Sequence, residues 1–274
     1  INSPQLMMLS GIGDANHLRD VGINAVVSSP GVGQNLMDHL EVYVQQACTK
    51  PLSLYKDLST WGRLKIGARW LYNQTGLGAT NHFEAGGFMR SGPSEPYPDI
   101  QFHFLPAAMS YDGTSRVQQH GFQAHVGPML PRSRGAIRLR SNDPMQAPQI
   151  KFNYMSDPAD WRVFRAAIRA ARRIFAQPAL AAVSGKELSP GADAQSDAEL
   201  DEFVRNHAES AYHPCGTCRM GSDGDAVVDS AGRVNGVAAL RVVDSSVFPH
   251  IPNGNLNAPT IMLAEKLAAA IKAS

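Results

Sequence analysis

Cysteine is scarce: Cys48, Cys215 and Cys218 are the only three in 274 residues. An odd, low count excludes a disulfide scaffold and points to a reducing compartment rather than secretion. An excess of one charge is also missing. Lys and Arg number 25 against 24 Asp and Glu, for a formal net charge of +1. That lacks the basic surplus of an obligate nucleic-acid binder. No apolar run approaches the ~20 residues that span a bilayer. The best candidate, "APTIMLAEKLAAAI" (258–271), is interrupted by Glu265 and Lys266 and reads as an amphipathic core helix. The expected location is cytoplasmic or peripheral at a membrane. Internal repeats and low-complexity tracts are absent from the sequence.

What is present is a chain of ordinary globular composition, 43% apolar and 18% charged. It is long enough to bury a core without disulfide or metal staples, as one large domain or two ordinary ones. Ser3 followed by Pro4 reads as an N-cap with proline at the first helical position, opening a helix over 3–11. A second helix is expected over 14–22 and a short strand over 24–29. "GVGQNLMDH" (31–39) reads as a glycine-rich loop, and the alternation of 40–47 predicts a strand. Leu58, Trp61, Leu64, Ala68 and Leu71 recur at helical spacing. Strands are expected at 84–89, 99–105, 122–130 and 135–141, forming an antiparallel sheet. Residues 157–176 give the strongest helix, with Asp157 as cap and Trp161, Phe164, Ile168, Ala171 and Phe175 as its buried stripe. Its arginines cover the solvent side. Ser196 and Glu199 form a capping box for a helix over 196–209. Residues 240–246 read as a buried strand ending at Asp244, and Asn257 as the cap of the last helix. Trp61 and Trp161 are expected in the core. Sheet and helices in the middle, with βα pieces at both ends, suggest an α/β domain into which the middle is inserted.

The stretch "HAESAYHPCGTCRMG" (207–221) holds two histidines, a glutamate and two cysteines, and three readings compete for it. The letters fit the zinc-deaminase pattern H-x-E…P-C-x-x-C. Only Ser210 to His213 separate Glu209 from Pro214, however, which leaves no room for the chain between two helix starts. A redox reading of Cys215-x-x-Cys218 needs a helix beginning at the first cysteine. Gly216, Gly221 and Gly224 argue against such a helix, and small buried packing residues are the plain alternative. The third reading gives the function to His213.

Four stretches in order carry a resemblance: "SPQLMMLSGIG" (3–13), "GVGQNLMDH" (31–39), "YHPCGTCRMG" (212–221) and "LRVVDSSVFPHIPNGNLNAPTIMLAEKLA" (240–268). Together they resemble the glucose–methanol–choline family of flavin oxidoreductases, over nearly the whole chain. "NHFEAGGFMRS" (81–91), "DIQFHFLPAA" (99–108), "HGFQAHVGPM" (120–129) and "DEFVRNHAES" (201–210) bring it nearest to the choline-oxidising members. The family opens with a strand, a G-x-G-x-x-G loop and a helix that cradles the FAD pyrophosphate. "GIGDAN" (11–16) does not fit that motif. A chain opening at Ile1, immediately before a helix, therefore reads as the C-terminal portion of such an enzyme, lacking the N-terminal FAD-binding half as its partner. The resemblance implies an α/β (α+β) fold. Residues 1–42 and 206–274 would be segments of the FAD-binding domain, and 43–205 an inserted substrate domain of antiparallel sheet plus helices.

The implied chemistry is FAD-dependent oxidation of a primary alcohol, choline first. Other aliphatic or aromatic alcohols, or an inactive fragment, are the alternatives, and outside the class a zinc hydrolase. The hydroxyl must lose its proton and the α-carbon a hydride, destined for flavin N5. A base within hydrogen-bond reach with a pKa near working pH is needed. By resemblance His213 is that base, or the group stabilising the alkoxide, and Asn257 is the second partner of the same oxygen. Asp244, Ser245, Ala258, Pro259 and Thr260 match positions beside the flavin. A trimethylammonium head calls for aromatic faces and a nearby carboxylate. Tyr212, His103, Phe83 and Glu84 are the candidates, and no metal is implied. The electron acceptor is left open, a respiratory chain being one choice. This chain alone is expected not to hold FAD tightly, so a yellow, flavin-loaded preparation of it would overturn that expectation.

Overall fold

A computed structural model describes residues 1–83, 85–109 and 119–273. In chain order its elements are α1 (Asn2–Leu9), β1 (Ile12–Gly13), α2 (Ala15–Asp20), β2 (Val27–Ser28), β3 (Leu40–Cys48), α3 (Thr60–Asn73), β4 (Ala85–Met89), β5 (Ile100–Leu105) and β6 (Gly121–Pro128). Then come β7 (Ala136–Arg138), β8 (Gln149–Lys151), α4 (Pro158–Phe175), α5 (Pro178–Ala181), β9 (Ser184–Ser189), α6 (Asp197–His207), β10 (Glu209–Ser210) and α7 (Asn257–Lys272). The fold is mixed α/β. Contacts divide it into two interleaved units. One comprises Ile1–His39, Met129–Asp160 and Ser210–Ser274, the other Leu40–Pro128 and Trp161–Glu209. Met129–Asp160 thus groups with the chain ends, whereas the sequence-read boundaries placed it in the middle segment.

The first unit is built mainly on loops and short elements around a large apolar cluster. Met7 and Met8 of α1, Leu18 of α2, Ile137 and Leu139 at the β7–β8 hairpin, and Val227, Val228, Val234, Val242 and Val247 meet there. Ile137 and Leu139 explain why the hairpin belongs to this unit: both are buried in the cluster. Gly33 shows what the glycine-rich loop is for. Its φ is +82° and a Cβ would come within 2.3 Å of the Ile137 carbonyl oxygen, so only glycine lets the two backbones touch. Their bond is Ile137 N–H to Gly33 O, 2.7 Å.

The second unit is an antiparallel sheet in which β3 pairs with β6 and β9, β6 with β5, and β5 with β4. Its alternation is clean. Val42, Val44, Ala124, Val126 and Phe122 are buried on one side. There the Phe122 and Phe102 rings meet Phe175 of α4 at 5.0 and 6.3 Å. The opposite side carries Glu41, Tyr43, Gln45, Gln123, His125, Gln101 and His103, set side by side by the register. Phe164, Ile168, Ala171 and Phe175 of α4 are buried as expected. Leu200, Phe203 and Val204 of α6 are likewise buried, behind the Ser196–Glu199 capping box.

Several local expectations are corrected. Helix α1 begins at Asn2 with Ile1 at the N-cap. Ser3 lies inside it, and its hydroxyl donates to the Asp244 carboxylate instead of capping. Residues 240–246 form no strand: an isolated bridge joins Arg241 to Arg233, Val242 N–H donates to Gly232 O, Leu240 O accepts from Val234 N–H, and a short 3-10 turn, Ser245–Val247, begins directly after Asp244. A strand needs a ladder. Trp61 is 75% exposed, and α3 buries none of its residues. Trp161 is half-buried, with the Arg205 guanidinium 5.2 Å over its ring, a cation–π contact rather than core packing. In α7 only Leu267 is buried, while Ile261 and Met262 are 56% and 59% exposed. Its amphipathic pattern is not turned into core among the described residues.

Chemical denaturation separates the two kinds of aromatic position. Phe164→Ala, at a side chain of 0% exposure, should lose about 3–5 kcal/mol. Trp61→Ala should stay within about 0.5 kcal/mol of the parent. A comparable loss in both would contradict this placement.

Candidate active site

Asp38 and His39 end the glycine-rich loop, at 4% and 0% exposure. A buried carboxylate must be paired or hydrogen-bonded, and Asp38 is. Its Oδ1 accepts from the His213 backbone N–H at 2.8 Å. Its Oδ2 accepts from the Ser210 hydroxyl at 2.5 Å and the Tyr154 hydroxyl at 2.6 Å. Burial, then the bond to Asp38, pushes the Tyr154 phenol well above its ordinary pKa, so it remains a donor across the working pH range.

These bonds shape the turn that carries His213. Tyr212 adopts φ +60°, the left-handed region that a bulky residue enters only when its surroundings impose it. Its N–H donates to Ser210 Oγ at 2.9 Å, while His213 N–H is held by Asp38. Both bonds lock the kink, and a two-way bridge between Met37 and Cys215 pins the chain two residues beyond His213. The imidazole of His213 meets that of His39 edge to face, Nδ1 to Nδ1 at 2.9 Å. Burial first, then the proximity of His213, push the His39 pKa down from 6.5 to about 4, against the Met129 and Pro252 carbonyls, which raise it.

A small apolar cluster joins three segments here. Met37, Cys215, Ile251 and Leu256 are buried together, with Phe248 against them. Met37 precedes Asp38, Cys215 lies two residues after His213, and Leu256 precedes Asn257. The cluster therefore anchors the loop, the histidine turn and the start of α7 to one another. Cys215 works as a packing side chain. Cys218 does the same in the larger cluster. Burial pushes both thiols up to about 12, which removes the thiolate that redox chemistry needs.

The other expected residues are placed as follows. Asn257 is exposed and is the first helical residue of α7. It does not cap the helix: the N-cap position is Leu256, and no side chain caps it. Ala258, Pro259 and Thr260 form the first turn, where the Thr260 hydroxyl bonds back to the Leu256 carbonyl. Asp244 is occupied structurally. Burial raises its pKa, but bonds from Ser246 and Ser3 outweigh this and leave it below the usual range. The Ser245 hydroxyl donates to the Pro214 carbonyl at 3.3 Å. Tyr212 is 70% exposed.

In the second unit Phe83 and His103 do come together, ring to ring at 6.2 Å, and Phe83 lies 5.3 Å from His125. Glu84 falls outside the described residues. Sequence reasoning missed Asp38, His39, Glu41 and His125. Glu41 is 8% exposed, and its carboxylate lies 3.0 Å from His125 Nδ1. The Tyr43 ring is 4.2 Å from that of His125. Gln45 donates to Gln123, whose amide nitrogen is 2.7 Å from His125 Nε2. The chain orders the donors: the amide donates to Nε2, so Nδ1–H donates to Glu41. The available signal was the alternation of β3, which puts a charge on one face at Glu41.

Residues 1–41 and 131–264 match the two sequence profiles described as GMC oxidoreductase. The chain belongs to the GMC oxidoreductase family. It is 58% identical over 272 residues to the oxygen-dependent choline dehydrogenase of Chromohalobacter salexigens, covering 99% of this chain and 49% of that protein. It is also 58% identical over 268 residues to the enzyme of the same name from Brucella anthropi, covering 97% and 49%. The chain thus spans about half the length of these relatives. Formate oxidase superposes with TM-score 0.91 at 27% identity, over 99% of this chain and 52% of that one. Pyridoxine 4-oxidase from Mesorbium loti does so with TM-score 0.84 at 29% identity, over 100% and 50%.

GMC oxidoreductases imply a flavin, and one feature here suits it. The N-terminus of the sixteen-residue α7 carries no side-chain cap and is exposed at Asn257 and Ala258. Free amides and the positive helix end favour an electron-rich partner. No helix among the described residues is long and apolar enough to cross a membrane.

The depressed pKa of His39 makes stability pH-dependent. Between 6.5 and about 4 the unfolded chain binds this proton and the folded one does not. Its contribution is complete above pH 6.5 and is lost as pH falls towards 4, for a total of about 3 kcal/mol. Urea midpoints from pH 7 to 4 should fall more steeply in the parent than in His39→Asn. Parallel curves would contradict this.

Proposed function

We propose that this chain carries the catalytic base and much of the substrate recognition of an FAD-dependent alcohol dehydrogenase acting on choline. The observation that carries the reading is His213, held at its backbone by the buried Asp38 carboxylate and at its ring by His39. A base must be held within reach of the proton it takes, and few surface histidines are fixed at both ends. The reaction removes the hydroxyl proton and a hydride from the α-carbon, leaving an aldehyde. His213 takes the proton. Asn257 offers its amide to the same oxygen. FAD, when bound, supplies the acceptor for the hydride. The start of α7 and its residues Ala258, Pro259 and Thr260 would lie along the flavin, with Ser245 and Asp244 shaping the loop beside them.

The sheet of the second unit supplies what a quaternary ammonium needs. Glu41 is a buried carboxylate paired with His125, and the rings of Tyr43 and Phe83 cluster around that of His125. Aromatic faces with a fixed negative charge attract a cation that cannot donate hydrogen bonds. His103 extends that ring cluster through Phe83. Choline is also named for the relatives at 58% identity. In this reading the first unit is the C-terminal part of the flavin domain and the second is the substrate domain.

Turnover of choline with an artificial acceptor tests the reading in the full-length enzyme carrying this chain. His213→Ala should lower it by ~100-fold or more, with flavin retained. Undiminished activity would remove His213 from the mechanism. A parent that oxidises other alcohols but not choline would keep the reaction and discard the substrate.

A further inference from the structure

The contact between His213 and His39 decides which nitrogen of His213 carries its proton. Two Nδ1 atoms 2.9 Å apart share one hydrogen, and one of them must donate. His39 lies at 0% exposure, with its Nε2 3.0 Å from the Met129 carbonyl oxygen. A carbonyl only accepts, so Nε2 of His39 carries a hydrogen. Burial leaves the His39 ring with a pKa of about 4, and at neutral pH it holds that one hydrogen alone. Its Nδ1 is then a bare acceptor, and the shared hydrogen belongs to Nδ1 of His213. The reverse arrangement would set the His39 Nε2 lone pair against the Met129 oxygen. The Nε2–Met129 and Nδ1–Nδ1 contacts assign these hydrogens, and two further acceptors lie near the pair. The Pro252 carbonyl beside His39 is an acceptor, and Asp38 spends both oxygens on Tyr154, Ser210 and the His213 backbone.

We propose that His39 is a positioning residue that fixes His213 as its Nδ1–H tautomer, leaving Nε2 as the nitrogen that takes the alcohol proton. The proposal rests on the reading of His213 as the base. It gives His39 a role that packing alone does not: replacing it moves a proton on another residue.

The test is carried out on the enzyme that carries this chain, with histidine labelled in both ring nitrogens. Long-range proton–nitrogen correlation spectra near pH 7.5 separate the two neutral tautomers, and loss of one pattern in His213→Ala assigns that residue. The parent should show His213 as Nδ1–H and His39 as Nε2–H. In His39→Leu the acceptor is gone, and His213 should become a mixture of tautomers. His39→Asn returns an acceptor oxygen near the place of Nδ1 and should restore the parent pattern, which covers the case in which the leucine variant folds poorly. In the flavin-loaded enzyme His39→Leu should lower kcat about 10-fold or more, with KM for choline nearly unchanged, and His39→Asn should recover most of that loss. An Nε2–H tautomer of His213 in the parent, a tautomer unmoved in a folded His39→Leu, or an unchanged kcat would each overturn the proposal. Full turnover in His213→Ala would instead overturn the catalytic reading beneath it, and is scored separately because the spectra report the tautomer whether or not the enzyme turns over.

Discussion

A carboxylate buried beside the candidate base organises the first unit around it. Asp38 is nearly inaccessible and accepts from Tyr154, Ser210 and the His213 backbone, three donors on two separate stretches of chain. Such a group cannot be left unpaired without costing several kcal/mol. The turn 210–213 and the segment around Tyr154 are therefore both tied to the end of the glycine-rich loop. The left-handed Tyr212 is a local cost of this arrangement, offset by the charge-assisted bonds on either side of it. Because the bonds hold the backbone and not the ring of His213, the imidazole is oriented separately, by His39.

The apolar residues near this network set its geometry. Met37, Cys215 and Leu256 each stand one or two positions from a polar residue of interest and pack into one small cluster. A close-packed cluster resists small displacements, so it can hold polar groups that have no rigid secondary structure of their own. The same packing divides the CxxC of the sequence. Its two side chains fill space in two different clusters, and burial keeps both as thiols.

In the second unit the division is between the faces of one sheet. One face packs its aliphatic and aromatic residues on α4, and the other holds a hydrogen-bonded row from Gln45 through Gln123 and His125 to Glu41. A polar row on a sheet is expensive unless each member is satisfied, and here each link has a donor and an acceptor. The chain of donors also fixes the His125 tautomer, and so gives the Glu41 carboxylate a donor from His125 Nδ1, whose ring lies against those of Tyr43 and Phe83.

What the sequence determined by itself is local. The capping box at Ser196 and Glu199, the cap at Asp157 and the stripes of α4 and α6 depend on residues three or four apart, and apart from Trp161 they fold as read. The motifs around His213 and Asn257 were also visible, because their letters lie close together in the chain. Tertiary structure decided what needed a partner far along the sequence. Ser3 left its cap for Asp244, 241 residues away. Residues 240–246 formed no ladder, and Trp61 stayed at the surface although its helical spacing matched a buried stripe. Asp38, His39 and Glu41 stood in plain sight next to a motif. Their significance lies in contacts with Tyr154, His213 and His125, at separations of 84 to 175 residues, and periodicity carries no information about contacts that distant. Propensity and capping act within a turn or two of chain, whereas the pairing of buried charges is settled only when the whole core closes.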